Sequence, residues 1–258
     1  MEERVVTAYE LAKAKRFGKF CPVFKIDATT IVKTGDSVRL TEAETMRFVR
    51  EHTTVPVPKV YNAYKDEETG HVRIVMEFIE GDRLEDMWDK FDISEKKAIT
   101  EQLHDYFFQL RKIKGPFVGC IDGTACEDQL FTDELGGYGP YGNEWEFNQG
   151  IVTALKRSQQ GPWVDMVCGM ILSSLKNHEI VLTHGDFAPR NILVQGAKVV
   201  AILDWELSGY YPEYWEYVKA LWRPPWQTGW IKDEAVNQVL DNYLMELAVV
   251  WHIRDIIW

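Results

Sequence analysis

The sequence predicts an α+β protein with two lobes, a small α/β lobe followed by a larger, mostly helical one. Three observations carry this. Short apolar runs separated by turn residues crowd the first 80 residues around one helical segment. Apolar residues at helical spacing dominate the rest of the chain, and a lone hairpin signal is embedded among those later helices. The boundary falls at Gly81-Asp82, dividing the chain into residues 1–81 and 82–258.

In the first lobe, Val5, Ala8, Leu11 and Ala12 recur at helical spacing and predict a short amphipathic helix over 4–16. Pro22–Ile26 and Thr29–Lys33, split by Asp27-Ala28 and closed by Gly35-Asp36, read as a hairpin. Thr41 is placed to cap a helix through Val49 that ends before Val55-Pro56-Val57-Pro58. Strands follow at Val60–Tyr64 and Val72–Phe78, joined by the polar turn Asp66–Gly70.

In the second lobe, Ser94 opens a helix whose Ala98, Ile99, Leu103, Phe107, Leu110 and Ile113 share a face, with Gly115 as its stop. Helices are expected over 144–158, 163–177 and 233–253. The stretch 115–143 is rich in Gly and aromatics and reads as a long loop that serves a site or holds further structure. Ile192–Val194 and Lys198–Leu203 flank a Gln195-Gly196 turn, and Pro212 is expected to start a helix through Trp222 that Pro224-Pro225 stops.

Composition narrows the function. With 40 acidic and 29 basic residues the net charge is −11, which argues against a general affinity for nucleic acid or an anionic membrane. No apolar run reaches membrane-spanning length, and the charged start MEERVV does not resemble a secretion signal. The four cysteines, Cys21, Cys120, Cys126 and Cys168, form no CxxC pair, so reduced thiols in a cytoplasmic protein are expected. The ten tryptophans, concentrated in the second half, suggest aromatic packing in a helical core.

The strongest chemical signal lies between Leu182 and Glu206. His184-Gly185-Asp186 separates an apolar run from the hairpin; Asn191 follows Asp186 by five residues and Asp204 by 18, at the end of the hairpin's second strand. This layout sets one carboxylate on a loop and places an amide and a second carboxylate at either end of a hairpin. Oxygen donors of this kind suit Mg²⁺, which keeps several waters while bound to phosphates. The Asp-x-x-x-x-Asn spacing is that of a phosphoryl-transfer catalytic loop.

HGDFAPRN followed by ILDWE resembles the signature of the aminoglycoside phosphotransferase and choline kinase family, and within it fungal phosphotransferase-domain proteins. IVKTG, EAETMRFVREHTTVPVPKVY and IVMEFIEGDRL support the resemblance in the expected order, over Thr29 to Trp222. It implies a protein-kinase-like fold and a kinase that moves the γ-phosphoryl group of ATP to a hydroxyl of a small molecule. Asp186 would be the catalytic aspartate, Asn191 and Asp204 would hold Mg²⁺, and Lys33 would contact the α- and β-phosphates. Glu42 would pair with Lys33, with Glu44 as its rival. Backbone groups of Glu77, Phe78 and Ile79 would meet the purine. His184 and Glu216 read as braces for the catalytic loop; Glu206 either assists the metal or only decorates the loop.

Two departures from the family's pattern matter. RFGKFCPVFKIDATT holds only Gly18, so no glycine-rich loop precedes Lys33, and the N-terminal helix is expected to replace the first strand. The catalytic loop carries Pro189 where antibiotic-modifying relatives often have an acid, and Arg190 adds a positive charge instead. The first departure keeps open an alternative: a non-catalytic nucleotide- or metabolite-binding protein on the same fold. A metal-dependent phosphohydrolase fits less well, because the other histidines are scattered.

Overall fold

The computed structural model describes residues 4–17, 22–125, 128, 139–222, 224 and 226–257. Helix α1 (Ala8–Lys13) begins at Thr7, whose hydroxyl accepts the Glu10 N–H while the Glu10 carboxylate accepts the Thr7 N–H. The strands β1 (Lys15–Phe17), β2 (Val23–Lys25) and β3 (Thr30–Gly35) follow. Then come α2 (Leu40–His52), β4 (Val60–Lys65) and β5 (Val72–Glu77). These strands form one antiparallel sheet in the order β1-β2-β3-β5-β4. A first strand therefore follows the N-terminal helix and is not replaced by it. The stretch linking β1 to β2, with Gly18 and Cys21, lies outside the described residues, as does Cys126.

The chain leaves this sheet through β6 (Asp82–Arg83), which pairs with the first strand of the later hairpin. Helix α3 (Leu84–Met87) and the long α4 (Ile93–Arg111) follow. Asp92, not Ser94, caps α4: its carboxylate accepts the Glu95 N–H, and the Ser94 hydroxyl donates to the same carboxylate. Likewise Thr41 does not cap α2. Arg39 stands at that position and its side chain makes no capping bond to the helix, and the Thr41 hydroxyl donates to Asp122 Oδ2 at 2.6 Å.

Helices α5 (Glu144–Ser158) and α6 (Pro162–Ser174) pack on each other. Strand β7 (Ile180–Thr183) pairs antiparallel with β10 (Gly209–Pro212); between them lies the hairpin of β8 (Ile192–Gln195) and β9 (Lys198–Ile202). The hairpin turn is Gly196-Ala197, one residue later than expected, because Gly196 takes the left-handed conformation (φ 55°) and Gln195 pairs with Lys198. Pro212 ends a strand; α7 (Trp215–Ala220) starts three residues later.

The expected helix over 233–253 is broken into short pieces: α8 (Gly229–Lys232) precedes it, α9 (Ala235–Val239) and α10 (Leu244–Trp251) lie within it, and α11 (Arg254–Ile257) comes last. Glu234 at φ 53° and extended Leu240 break the run. Among the described residues no helix is long and apolar enough to cross a membrane.

Among the described residues, two large apolar cores and a small one around Val6, Val32 and Val75 fix the geometry. The first large core joins Met46 and Val49 of α2 and Ile74 of β5 to Leu103 and Phe107 of α4 and to Ile192, Val194 and Ile202 of the hairpin. The second gathers Phe147, Ile151, Val167 and Ile171 around Tyr211, Tyr214 and Trp215. Tryptophans are not uniformly core: Trp205, Trp215 and Trp222 are buried, whereas Trp145, Trp163 and Trp226 are exposed. The first core and a backbone bond, Ile202 N–H to Pro56 carbonyl at 2.8 Å, tie the sheet lobe to the strand that ends just before Asp204.

Candidate active site

Lys33 lies on β3 between Val23 of β2 and Ile74 of β5, an interior position of the sheet. Its side chain points toward α2, where Nζ donates to Glu42 Oε1 at 2.9 Å. Both residues are buried, at 4% and 3% exposure. Glu44, the rival partner, is on the outer face of α2 and pairs with Arg47. Nζ also donates to Asp204 Oδ1 at 2.7 Å and Glu206 Oε2 at 3.1 Å.

One ammonium thus meets three carboxylates. Burial works against its charge, but Glu42, Asp204 and Glu206 outweigh burial and raise its pKa. Burial pushes Glu42 up to about 7 although Lys33 pulls the other way, and Glu42 Oε2 has no hydrogen-bond partner. The cluster is short of positive charge, and its acceptors are all oxygen.

The loop between β7 and β8 holds the second group. His184 is completely buried; its Nε2 lies 3.0 Å from the Leu203 carbonyl, and its Nδ1 accepts the Asp186 N–H at 3.2 Å. Those partners require a neutral ring with the proton on Nε2, and burial lowers its pKa accordingly. Glu216, on α7, accepts the His184 N–H at 2.6 Å and the Gly185 N–H at 3.2 Å from beneath the loop. Burial pushes Glu216 up to about 7 against the pull of these two donors. Gly185 has φ 83°, and a Cβ there would sit 2.5 Å from the Leu207 carbonyl oxygen, so only glycine fits.

This bracing presents Asp186 at the surface of the loop. Asn191 Nδ2 donates to Asp186 Oδ2 at 2.7 Å and to its backbone carbonyl at 3.0 Å, which leaves Asn191 Oδ1 without a donor among the described residues. Arg190 Nη2 pairs with Asp186 Oδ1.

Leu203 joins the two groups. Its N–H donates to the Asn191 carbonyl at 2.8 Å while its own carbonyl meets His184. Asp204, the next residue, is therefore held beside the Asp186 loop, and it takes the left-handed conformation at φ 67°. That is uncommon for a residue with a side chain but most tolerated by Asp and Asn, and such backbone is typical of functional sites.

The three residues at the end of β5 differ in what they offer. The Glu77 N–H goes to the Lys59 carbonyl and the Phe78 N–H to the Thr29 carbonyl, whereas the Ile79 N–H makes no hydrogen bond among the described residues. Lys25 lies 3.4 Å above the Phe78 ring. Ile79 is thus the backbone donor of the three left for a ligand.

Two contacts escaped sequence reasoning. Glu206 reaches Lys33, which its place two residues after Asp204 hinted at but could not decide. Arg190 closes on Asp186 because the tight turn Pro189–Asn191 returns it over the loop; its spacing of four from Asp186 was the available signal. Among the described residues no three His, Cys, Asp or Glu side chains form a closed metal cage.

A family model described as "Phosphotransferase enzyme family" matches residues 33–244. Among solved structures, the chain is similar to the streptomycin–ATP ternary complex of APH(2'')-IIa, with 17% identity, a TM-score of 0.65, and 99% of this chain and 91% of that one covered. It is similar to the GDP complex of aminoglycoside 2'-phosphotransferase-IIIa at 13% identity and TM-score 0.63, over 95% and 83%. ADP-bound APH(2'')-Ib matches at 17% identity and TM-score 0.62, over 98% and 91%. No curated protein sequence matches the chain. The fold is the bilobal protein-kinase-like one, with an abbreviated α/β lobe and a larger helical lobe.

Proposed function

The chain belongs to the phosphotransferase enzyme family, and from that premise we propose that it is a small-molecule kinase that transfers the γ-phosphoryl group of ATP to a hydroxyl group. Residues 1–81 form its nucleotide-binding lobe, and residues 82–258 carry the catalytic loop and the acceptor. One observation carries the reading: Lys33 and Asp204, 171 residues apart, meet at 2.7 Å beside the loop that displays Asp186.

In this reading the free Ile79 N–H receives the purine, and Lys33 turns part of its hydrogen bonding from carboxylates to the α- and β-phosphates. Glu42, buried behind it, keeps the ammonium aimed inward. Asp186 receives the acceptor hydroxyl. As the hydroxyl oxygen bonds to the γ-phosphorus, the bond from that phosphorus to the β-bridging oxygen breaks. ADP leaves with the electron pair, and the hydroxyl proton passes to Asp186. Asn191 holds Asp186 in place through Oδ2, and the neutral His184 and buried Glu216 keep the loop still.

The residues fit a divalent cation. Three carboxylates face one ammonium, and Asn191 Oδ1 adds a neutral oxygen donor. The lack of a closed protein cage among the described residues suits Mg²⁺, which takes few protein ligands and completes its shell with phosphates and water. Asn191 and Asp204 would hold it, and bound there it would supply neutralising charge for the phosphates.

The test is ATP consumption over a panel of hydroxyl compounds, native protein against Asp186→Asn. Acceptor-dependent ADP release lost in the variant supports the kinase. MgATP binding with no turnover on any acceptor would favour the non-catalytic alternative.

A further inference from the structure

Beside Asp186 opens a cavity of ≈ 190 Å³ bounded by Asp186, Phe187, Arg190, Leu207, Lys219 and Trp222. Its described lining includes Asp186 and Arg190 of the catalytic loop but not Lys33. Resting on the kinase reading above, we propose that the acceptor carries an anionic group, a carboxylate or phosphate, next to its hydroxyl, and that Arg190 is the residue that selects it.

The charges around the cavity point this way. Its described lining holds two cations, Arg190 and Lys219, and one acid, Asp186, and a second acid, Asp128, is paired with Lys219 behind the wall. Both oxygens of Asp186 are already engaged, one by Arg190 and one by Asn191. A polycationic amino sugar would therefore meet no unengaged carboxylate on this described lining.

The state of each cation divides the roles. The Lys219 side chain is 8% exposed and paired with Asp128 at 2.9 Å, a fixed charge in the wall. The Arg190 side chain is 49% exposed and contacts Asp186 through one nitrogen, Nη2, and its other N–H groups have no partner among the described residues. A planar guanidinium binds a carboxylate or phosphate through two parallel N–H bonds. An anionic group taken by the open edge of Arg190 would be one guanidinium width from the Asp186 carboxylate. A hydroxyl on the same small molecule would then lie at Asp186. The apolar remainder of the wall, Phe187, Leu207 and Trp222, suits a carbon skeleton between the two groups. The volume, below the ≈ 300–1,000 Å³ of drug-sized sites, suits a compact one.

The test uses three probes alike except in charge: 4-(hydroxymethyl)benzoate, benzyl alcohol and 4-(aminomethyl)benzyl alcohol. Binding in the presence of MgATP, read by tryptophan fluorescence and calorimetry, is measured alongside ADP release. The acid should bind roughly tenfold or more tightly than the alcohol, as one charge-assisted bond would give, and the amine more weakly than either. Arg190→Gln should erase the acid's advantage and Arg190→Lys restore part of it; a half-exposed loop residue tolerates both changes. Equal binding of the three probes, preference for the amine, no binding of the acid, or an acid preference indifferent to Arg190→Gln overturns the proposal. Turnover separates the two claims: tight, Arg190-dependent acid binding without ADP release upholds the anion site while the kinase reading fails. Turnover indifferent to charge does the reverse.

Discussion

Lys33 Nζ lies 2.9 Å from Glu42 Oε1, and the pair is sealed between β3 and the first turn of α2. Breaking a buried pair costs more than the pair contributes, because the survivor is left charged and dry. Lys33→Met leaves Glu42, Asp204 and Glu206 facing one another. It should destabilise the protein by about 3–5 kcal/mol in urea unfolding and reduce acceptor-dependent ATP turnover by roughly 100-fold or more. Glu42→Gln, which needs no counter-charge, should cost less stability and still lower turnover by freeing Lys33 to rotate.

The buried Glu216 makes stability depend on pH. Its folded pKa, near 7, lies above the ordinary 4.5, so the folded state binds its proton more tightly than the unfolded chain does. Stability from this group is present at low pH and falls as pH rises from about 4.5 to about 7. Unfolding free energies at pH 5 and pH 8 should differ by on the order of 3 kcal/mol more in the native protein than in Glu216→Gln. An identical pH dependence in the two proteins would count against this.

A second pH effect arises at His178, just before β7. His178 Nδ1 lies 2.6 Å from Glu144 Oε1 on α5, and Nε2 lies 3.4 Å from Glu246 Oε1 on α10. Burial lowers its pKa, but the two carboxylates outweigh burial and raise it above 6.5. The pairing therefore stabilises fully below pH 6.5 and is lost as pH climbs through the raised value. NMR titration of the imidazole should return a pKa above 6.5, and His178→Gln should flatten the fall of Tm above that pH.

Gly185 is held between His184 and Asp186 at φ 83°. An alanine costs roughly 1–2 kcal/mol for the left-handed backbone alone, and its Cβ would strike the Leu207 carbonyl. Gly185→Ala should lower Tm and shift Asp186, losing turnover out of proportion to the lost stability; full activity in this variant would contradict the loop geometry.

What could be read from the sequence was what spacing encodes. Asp186, Asn191 and Asp204 stand at fixed separations around a hairpin, and the family resemblance adds Lys33, so all four were candidates before any coordinates. Contacts across the fold were not. Glu42 and Glu44 differ only in which face of α2 they occupy, and the packing of α2 on the sheet decides between them. Asp92 and Ser94 are both good caps, two residues apart, and only the backbone conformation of Asp92 selects it. The two-residue β6 and Pro212-ended β10 exist because β8 and β7 offer them edges. The C-terminal run carries a continuous helical pattern, yet the left-handed Glu234 interrupts it, a conformation no periodicity reveals.

The most direct test of a nucleotide–metal site built on Lys33, Asn191 and Asp204 is calorimetric titration of ATP with and without Mg²⁺, on the native protein and on Asp204→Asn. Asparagine tolerates the left-handed backbone at this position, so the variant should fold. Native protein should bind ATP markedly more tightly with Mg²⁺ than without, and Asp204→Asn should bind with little difference between the two conditions. Equal ATP affinity with and without Mg²⁺ in the native protein, or an unchanged Mg²⁺ effect in Asp204→Asn, would contradict it.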